Sequence, residues 1–131
     1  MAIRNGCFEI INKVYTLNLL IMAYNKELLQ KLAACAAACE MCAAACLDDQ
    51  DIKMMVQCIR LDRDCAKICY TTASFVASHS PHAEHLVKEC EEICRACAEE
   101  CGKHDHDHCQ KCAEACRECA EACGSFSGVE G

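Results

Sequence analysis

The sequence has 131 residues, of which 17 are cysteine, five glycine, one proline and none tryptophan. Cysteine at that density marks a thiol framework, and so little proline and glycine excludes collagen-like and Pro/Gly-rich disordered chains. The formal net charge of −7 argues against a nucleic-acid partner, and no uninterrupted apolar run reaches the roughly 18–20 residues that cross a bilayer.

Residues 1–24 form an N-terminal extension. Cys7, Ile10, Ile11, Val14, Leu17 and Ile21 recur at helical spacing, which predicts an extra helix there. The run from Val14 to Tyr24 has the apolar character of a signal-peptide core, but its surroundings are wrong for one. Glu9 precedes it and Asn18 interrupts it. Lys26, Glu27, Gln30 and Lys31 separate it from Leu32-Ala33-Ala34-Cys35, the only stretch resembling a lipoprotein cleavage box. Met22 opens the regular helical pattern and is an alternative start for the chain. The expectation is a cytoplasmic protein with reduced thiols, a setting in which cysteine clusters bind metal more often than they form disulfides.

The next segment, 25–47, carries Cys35, Cys39, Cys42 and Cys46. Asp48, Asp49 and Asp51 supply capping carboxylates for a second helix over 50–79, which carries Cys58, Cys65 and Cys69. Asp62 or Leu61 fills the inward place between Cys58 and Cys65. Ser80-Pro81 opens a third helix, 81–101, with Cys90, Cys94, Cys97 and Cys101. Gly102 to Asp107 ends it and leads into a fourth, 106–124, with Cys109, Cys112, Cys116, Cys119 and Cys123. Residues 125–131 are a tail. Within each group the steps are 3, 4 or 7, which return to one face of a helix at about 100° per residue. Short connections make neighbouring helices antiparallel. The fold class is therefore all-α: an up-down four-helix bundle over 25–124 whose inner positions are cysteine where other bundles place Leu, Ile and Val.

Sixteen thiols in register exceed what cysteine as a small core residue explains. Cysteines on one helix are poorly placed to bridge each other, and no iron–sulfur spacing is present. One or two tetrahedral zinc sites would use four to eight thiols and leave the rest without a role. Copper(I) fits best, being soft and content with two or three thiolates. Cysteines four apart sit one turn from each other and can share an ion, and facing stripes can share sulfurs. The expected function is storage of multiple Cu(I) ions, with no catalytic residue. The rivals are a zinc or mixed thiophilic-metal buffer and a disulfide-stapled helical module.

The two ends differ. The turns joining helices one to two and three to four lie together and carry Met54, Met55, His104, His106 and His108. Thioether and imidazole both bind copper, so this end is the expected mouth. The other end gathers Leu28, Leu29, Leu32, Phe75, Val76, Leu86, Val87 and Phe126. His79, His82 and His85 around its turn are expected to be exposed or capping.

Two segments, Cys58-Ile59-Arg60-Leu61-Asp62-Arg63-Asp64-Cys65 and Cys101-Gly102-Lys103-His104-Asp105-His106-Asp107-His108-Cys109, resemble those of the bacterial copper storage proteins, cytosolic branch. The resemblance spans about residues 25–124. It implies a cysteine-lined four-helix bundle, a homotetramer and multinuclear Cu(I) storage, with copper delivered by a chaperone as one possible source. It also implies that the sixteen cysteines of the four stripes are ligands, with His104 and His108 near the mouth. Leu28 and Leu32 stand where some relatives continue the cysteine series. Cys7 is assigned no metal.

Overall fold

The fold is seen in a computed structural model that describes residues 2–126. Among these residues there are four helices and no strand: α1 (Ala2–Leu47), α2 (Ile52–Ala77), α3 (Ala83–Gly102) and α4 (Asp107–Gly124). Residues 127–131 of the expected tail lie outside the described residues. Each helix packs on its two neighbours in the ring α1–α2–α3–α4, which is the up-down bundle expected from the short connections. The extra N-terminal helix is not a separate element. It is the first part of α1, which continues unbroken because neither proline nor glycine interrupts the sequence from Cys7 to Leu47.

Every helix turns a 3-4 stripe inward. In α1 it is Leu28, Leu32, Cys35, Cys39, Cys42 and Cys46, and in α2 it is Met55, Cys58, Asp62, Cys65, Cys69, Thr72 and Val76. In α3 it is Ala83, Val87, Cys90, Cys94, Cys97 and Cys101, and in α4 the five cysteines alone. Alternating steps of three and four keep a helix face on its partner over many turns. Beside the stripe lie buried alanines, Ala36, Ala43, Ala66, Ala98, Ala113 and Ala120. Their small side chains let the helices close around thiols that are smaller than leucine. Glu114, Arg117, Glu118 and Glu121 face water.

The helix ends depart from the expected capping. Asp51, His82 and His106 occupy the N-cap positions, and none makes a side-chain cap hydrogen bond. The polar residues act two positions earlier instead. Asp49 Oδ1 accepts from the Asp51 backbone N–H at 2.8 Å, and Ser80 Oγ accepts from that of His82 at 3.1 Å. These bonds turn the chain before each helix begins. Helix α3 consequently starts at Ala83, past Pro81. Gly102 is not a left-handed cap, since no glycine has positive φ among the described residues. A Cβ there would meet only the tip of the exposed, flexible Arg117 side chain, 3.2 Å from Nη2.

The left-handed position falls on His79, with φ of 54°. The Ser80 N–H reaches the Phe75 carbonyl at 3.0 Å and the His79 N–H reaches that of Val76 at 3.1 Å. That pair of bonds closes α2 in the Schellman pattern, usually built on glycine. His79 is exposed and gives up the glycine advantage at this φ. Replacing His79 by Gly should therefore stabilise the apo protein by roughly 0.5–1 kcal/mol, read as a raised denaturation midpoint.

Candidate metal centre

The sixteen stripe cysteines are all buried, and all seventeen thiols, including exposed Cys7, are free. The closest sulfur approaches lie between neighbouring helices. Cys58 and Cys101 lie 3.1 Å apart, Cys65 and Cys94 3.5 Å, and Cys35 stands 3.6 Å from both Cys65 and Cys116. Pairs four apart on one helix are wider: Cys90/Cys94 at 3.8 Å, Cys42/Cys46 and Cys97/Cys101 at 3.9 Å, and Cys112/Cys116 at 4.0 Å. Thiolate–metal bonds of about 2.3 Å allow two sulfurs on one ion to stand up to roughly 4.6 Å apart. Both kinds of pair fall within that reach.

The sulfurs form tetrads that share corners. Cys35 belongs to one with Cys69, Cys94 and Cys119 and to another with Cys39, Cys65 and Cys116. Cys39 and Cys116 recur with Cys97 and Cys112. Towards the mouth, Cys42 and Cys58 join Cys46 and Cys109 in one group, and Asp62 and Cys101 in the next. At the far end Cys90 lies 3.8 Å from Cys69, and Cys123 is buried as the last cysteine of α4. The core is thus a continuous column of donors in which one sulfur can serve two ions.

Asp62 is the residue that the cysteine pattern passed over. It stands four residues after Cys58 and three before Cys65, the same 3-4 register as the thiols, and it is fully buried while Leu61 is half-buried. Oδ1 accepts from the thiols of Cys112 at 3.2 Å and of Cys97 and Cys101 at 3.3 Å, and Oδ2 from Cys58 at 3.7 Å. Loss of water, followed by the nearby Cys112 sulfur, pushes its carboxyl up to about 8. Burial likewise raises the Cys109 thiol to about 11, and with the Cys58 sulfur it raises Cys46. These mouth thiols are accordingly protonated at neutral pH before metal arrives.

At the mouth the histidines divide. His108 Nδ1 reaches Cys42 and Cys109 at 3.5 Å and Cys46 at 4.0 Å, so it stands among the sulfurs. His104 Nε2 pairs instead with Glu100 at 3.0 Å. His106 Nε2 lies 2.7 Å from Asp49 Oδ2 and ties the two turns together. The methionines divide too: Met55 is buried in the core and Met54 is 65% exposed. At the opposite end Leu28, Leu32, Val76 and Val87 are buried, with Leu29, Phe75 and Phe126 packed against the core and Leu86 half-buried. His79, His82 and His85 are exposed there.

Sixteen inward thiols, a carboxyl and an imidazole on four helices define a bundle whose core is a binding site for several thiophilic ions. Residues 22–128 match the family described as copper storage protein, and the chain belongs to that family. It is 42% identical over 87 residues, 66% of this chain and 81% of the relative, to the uncharacterized cysteine-rich protein YhjQ of Bacillus subtilis. Among solved structures it is similar to Cu(I)-bound BsCsp3, the B. subtilis copper storage protein 3, at 42% identity. That match has a TM-score of 0.77 and covers 81% of this chain and 99% of the other. A cytosolic copper storage protein from Streptomyces lividans, described with five coppers, is 34% identical. There the TM-score is 0.80, and 86% of this chain and 98% of the other are covered.

The Asp62 proton gives the apo protein a pH dependence. An Asp in the unfolded chain ionises near 3.8, whereas folded Asp62 holds its proton to about 8. Between those values the folded state binds the extra proton, so stability falls as pH rises, by at most about 1.4 kcal/mol per unit. Thermal melts of the apo protein from pH 5 to 8 should show that fall, and Asp62→Asn should flatten it.

Proposed function

We propose that this chain stores copper(I), holding many ions on the thiolates of its four stripes. The observation that carries the reading is the corner-sharing of the tetrads, with Cys35, Cys39, Cys42, Cys58 and Cys116 each in two of them. A carrier of one ion needs one site. A column of shared sulfurs suits a soft ion that accepts two or three thiolates and tolerates bridging. Tetrahedral zinc would isolate four sulfurs per ion. The Cu(I)-bound relatives support the same choice.

The ligands in this reading are Cys35, Cys39, Cys42, Cys46, Cys58, Cys65, Cys69, Cys90, Cys94, Cys97, Cys101, Cys109, Cys112, Cys116, Cys119 and Cys123. His108 and Asp62 add a nitrogen and an oxygen donor, and His104 acts at the rim. Residues 25–124 form the storage domain, 1–24 an extension and 125–131 a tail. The protein works in the cytoplasm, as the Streptomyces relative is described to do, and takes copper from a chaperone. It performs no catalysis, and its bundles assemble as a homotetramer. Anaerobic titration with Cu(I) should saturate on the order of 10–20 ions per chain. Saturation at one or two would reject storage, and a preference for Zn(II) at four thiols per ion would favour the zinc buffer.

Copper enters at the His/Met mouth, where His108 stands between solvent and Cys42, Cys46 and Cys109. Replacing His104, His106 and His108 together by Ala should slow loading from a chelated Cu(I) donor at least tenfold. Capacity should change by no more than about one ion, as the thiol column is untouched. An unchanged stopped-flow loading rate would reject the intake role.

A further inference from the structure

Asp62 interrupts the sulfur column with oxygen. Among the described residues Thr72 is the other buried polar side chain, and it donates to the Leu86 carbonyl. Thiolate suits soft Cu(I) better than a carboxylate does, whereas Zn(II) is borderline and takes both. The metal preference of the column therefore changes at this place, provided that the sulfurs around it stand where a tetrahedral ion needs them.

The distances meet that condition. Zn–S bonds of about 2.3 Å and a Zn–O bond of about 2.0 Å put tetrahedral sulfurs roughly 3.8 Å apart, with the oxygen roughly 3.5 Å from each. Asp62 Oδ1 lies 3.2 Å from the Cys112 sulfur and 3.3 Å from those of Cys97 and Cys101. Cys101 stands 3.9 Å from both Cys97 and Cys112. The last edge, Cys97 to Cys112, is within 4.8 Å, since those two share a tetrad with Cys39 and Cys116. The donors come from α2, α3 and α4, so the packing of the bundle holds the set together.

The other grouping on this carboxyl fits less well. Asp62 also lies with Cys42, Cys58 and Cys101, but Cys58 and Cys101 are 3.1 Å apart, too near for two sulfurs on one tetrahedral ion. Cys58 has a different part. Its thiol donates to Oδ2 at 3.7 Å and keeps Oδ1 turned towards Cys97, Cys101 and Cys112, as outer hydrogen bonds orient the ligands of zinc. All-sulfur tetrads such as Cys35, Cys39, Cys65 and Cys116 reach spacings that suit zinc too, but they offer copper only the donor it prefers.

We propose that Asp62 Oδ1 with the sulfurs of Cys97, Cys101 and Cys112 forms a Zn(II) site, one per chain, that keeps its ion while copper takes the all-sulfur tetrads. The inference rests on copper being the ion of those tetrads.

Mixed loading tests it. The apo protein is filled anaerobically with Zn(II), titrated with chelated Cu(I) to half of its copper capacity, desalted and analysed for both metals. The unsubstituted protein should retain about one zinc ion per chain. Asp62→Cys keeps the register but makes the set all sulfur, and it should retain almost none. Anomalous scattering at the zinc edge from crystals of the half-loaded protein should place the ion beside Asp62. Complete loss of zinc from the unsubstituted protein would overturn the site, as would equal retention by Asp62→Cys or a zinc peak in an all-sulfur tetrad. Copper capacity is measured separately on zinc-free protein. A failed storage reading shows there as one or two ions, and a failed zinc site shows as zinc loss at full copper capacity.

Discussion

The structure depends on placing a small, soft side chain at nearly every inward position of four helices. A thiol fills less space than a leucine and buries less apolar area, so the ordinary hydrophobic drive for closing a bundle is reduced. Two features offset that loss. Alanines beside the thiols let the backbones come close, and hydrocarbon plugs the end at Leu28, Leu32, Val76 and Val87. Between these supports sulfurs from different helices of the ring come to between 3.1 and 4.0 Å. The shortest contacts join neighbouring helices of the ring, while cysteines on one helix are held a full turn apart. Metal that binds only the folded chain adds its binding energy to this modest base.

Asp62 shows how such a core treats a group that does not belong to it by chemistry but does by register. A carboxylate surrounded by sulfur and no cation has nothing to balance its charge, and the neutral acid is the form the core tolerates. The thiols of Cys58, Cys97, Cys101 and Cys112 direct their hydrogens at it. One acceptor thereby orders donors from three helices. Thr72 is the other polar interruption, and it is settled more cheaply by donating to the Leu86 carbonyl at 3.3 Å.

The stripes were legible in the sequence because a period of three and four over several turns admits one backbone. The bundle followed, since the connections are short enough to leave no other topology. The inward place of Asp62 was equally written in its spacing to Cys58 and Cys65. Spacing alone left Leu61 as the other candidate for that place, and the structure leaves Leu61 half-buried. The helix ends were less legible. Asp51 looks like a cap and Gly102 like a left-handed stop, but Asp49 accepts from the Asp51 N–H and Gly102 has no positive φ. His79 gives no local signal for positive φ, and only the hydrogen bonds around it reveal the closure of α2. The division of His104, His106 and His108 into three roles depends on contacts with Glu100, Asp49 and Cys42. Asp49 and Cys42 are remote in sequence from the loop that carries the histidines, and Glu100 lies one turn before it.

The length of α1 has a geometric result of its own. The segment beyond the bundle leaves from the hydrocarbon end, and the histidine turns sit at the other. Residues 25–47 alone put about 34 Å of helix between the two. The exposed segment of α1 and the histidine turns therefore stand at opposite poles of the molecule, so whatever meets the first leaves the second open to solvent.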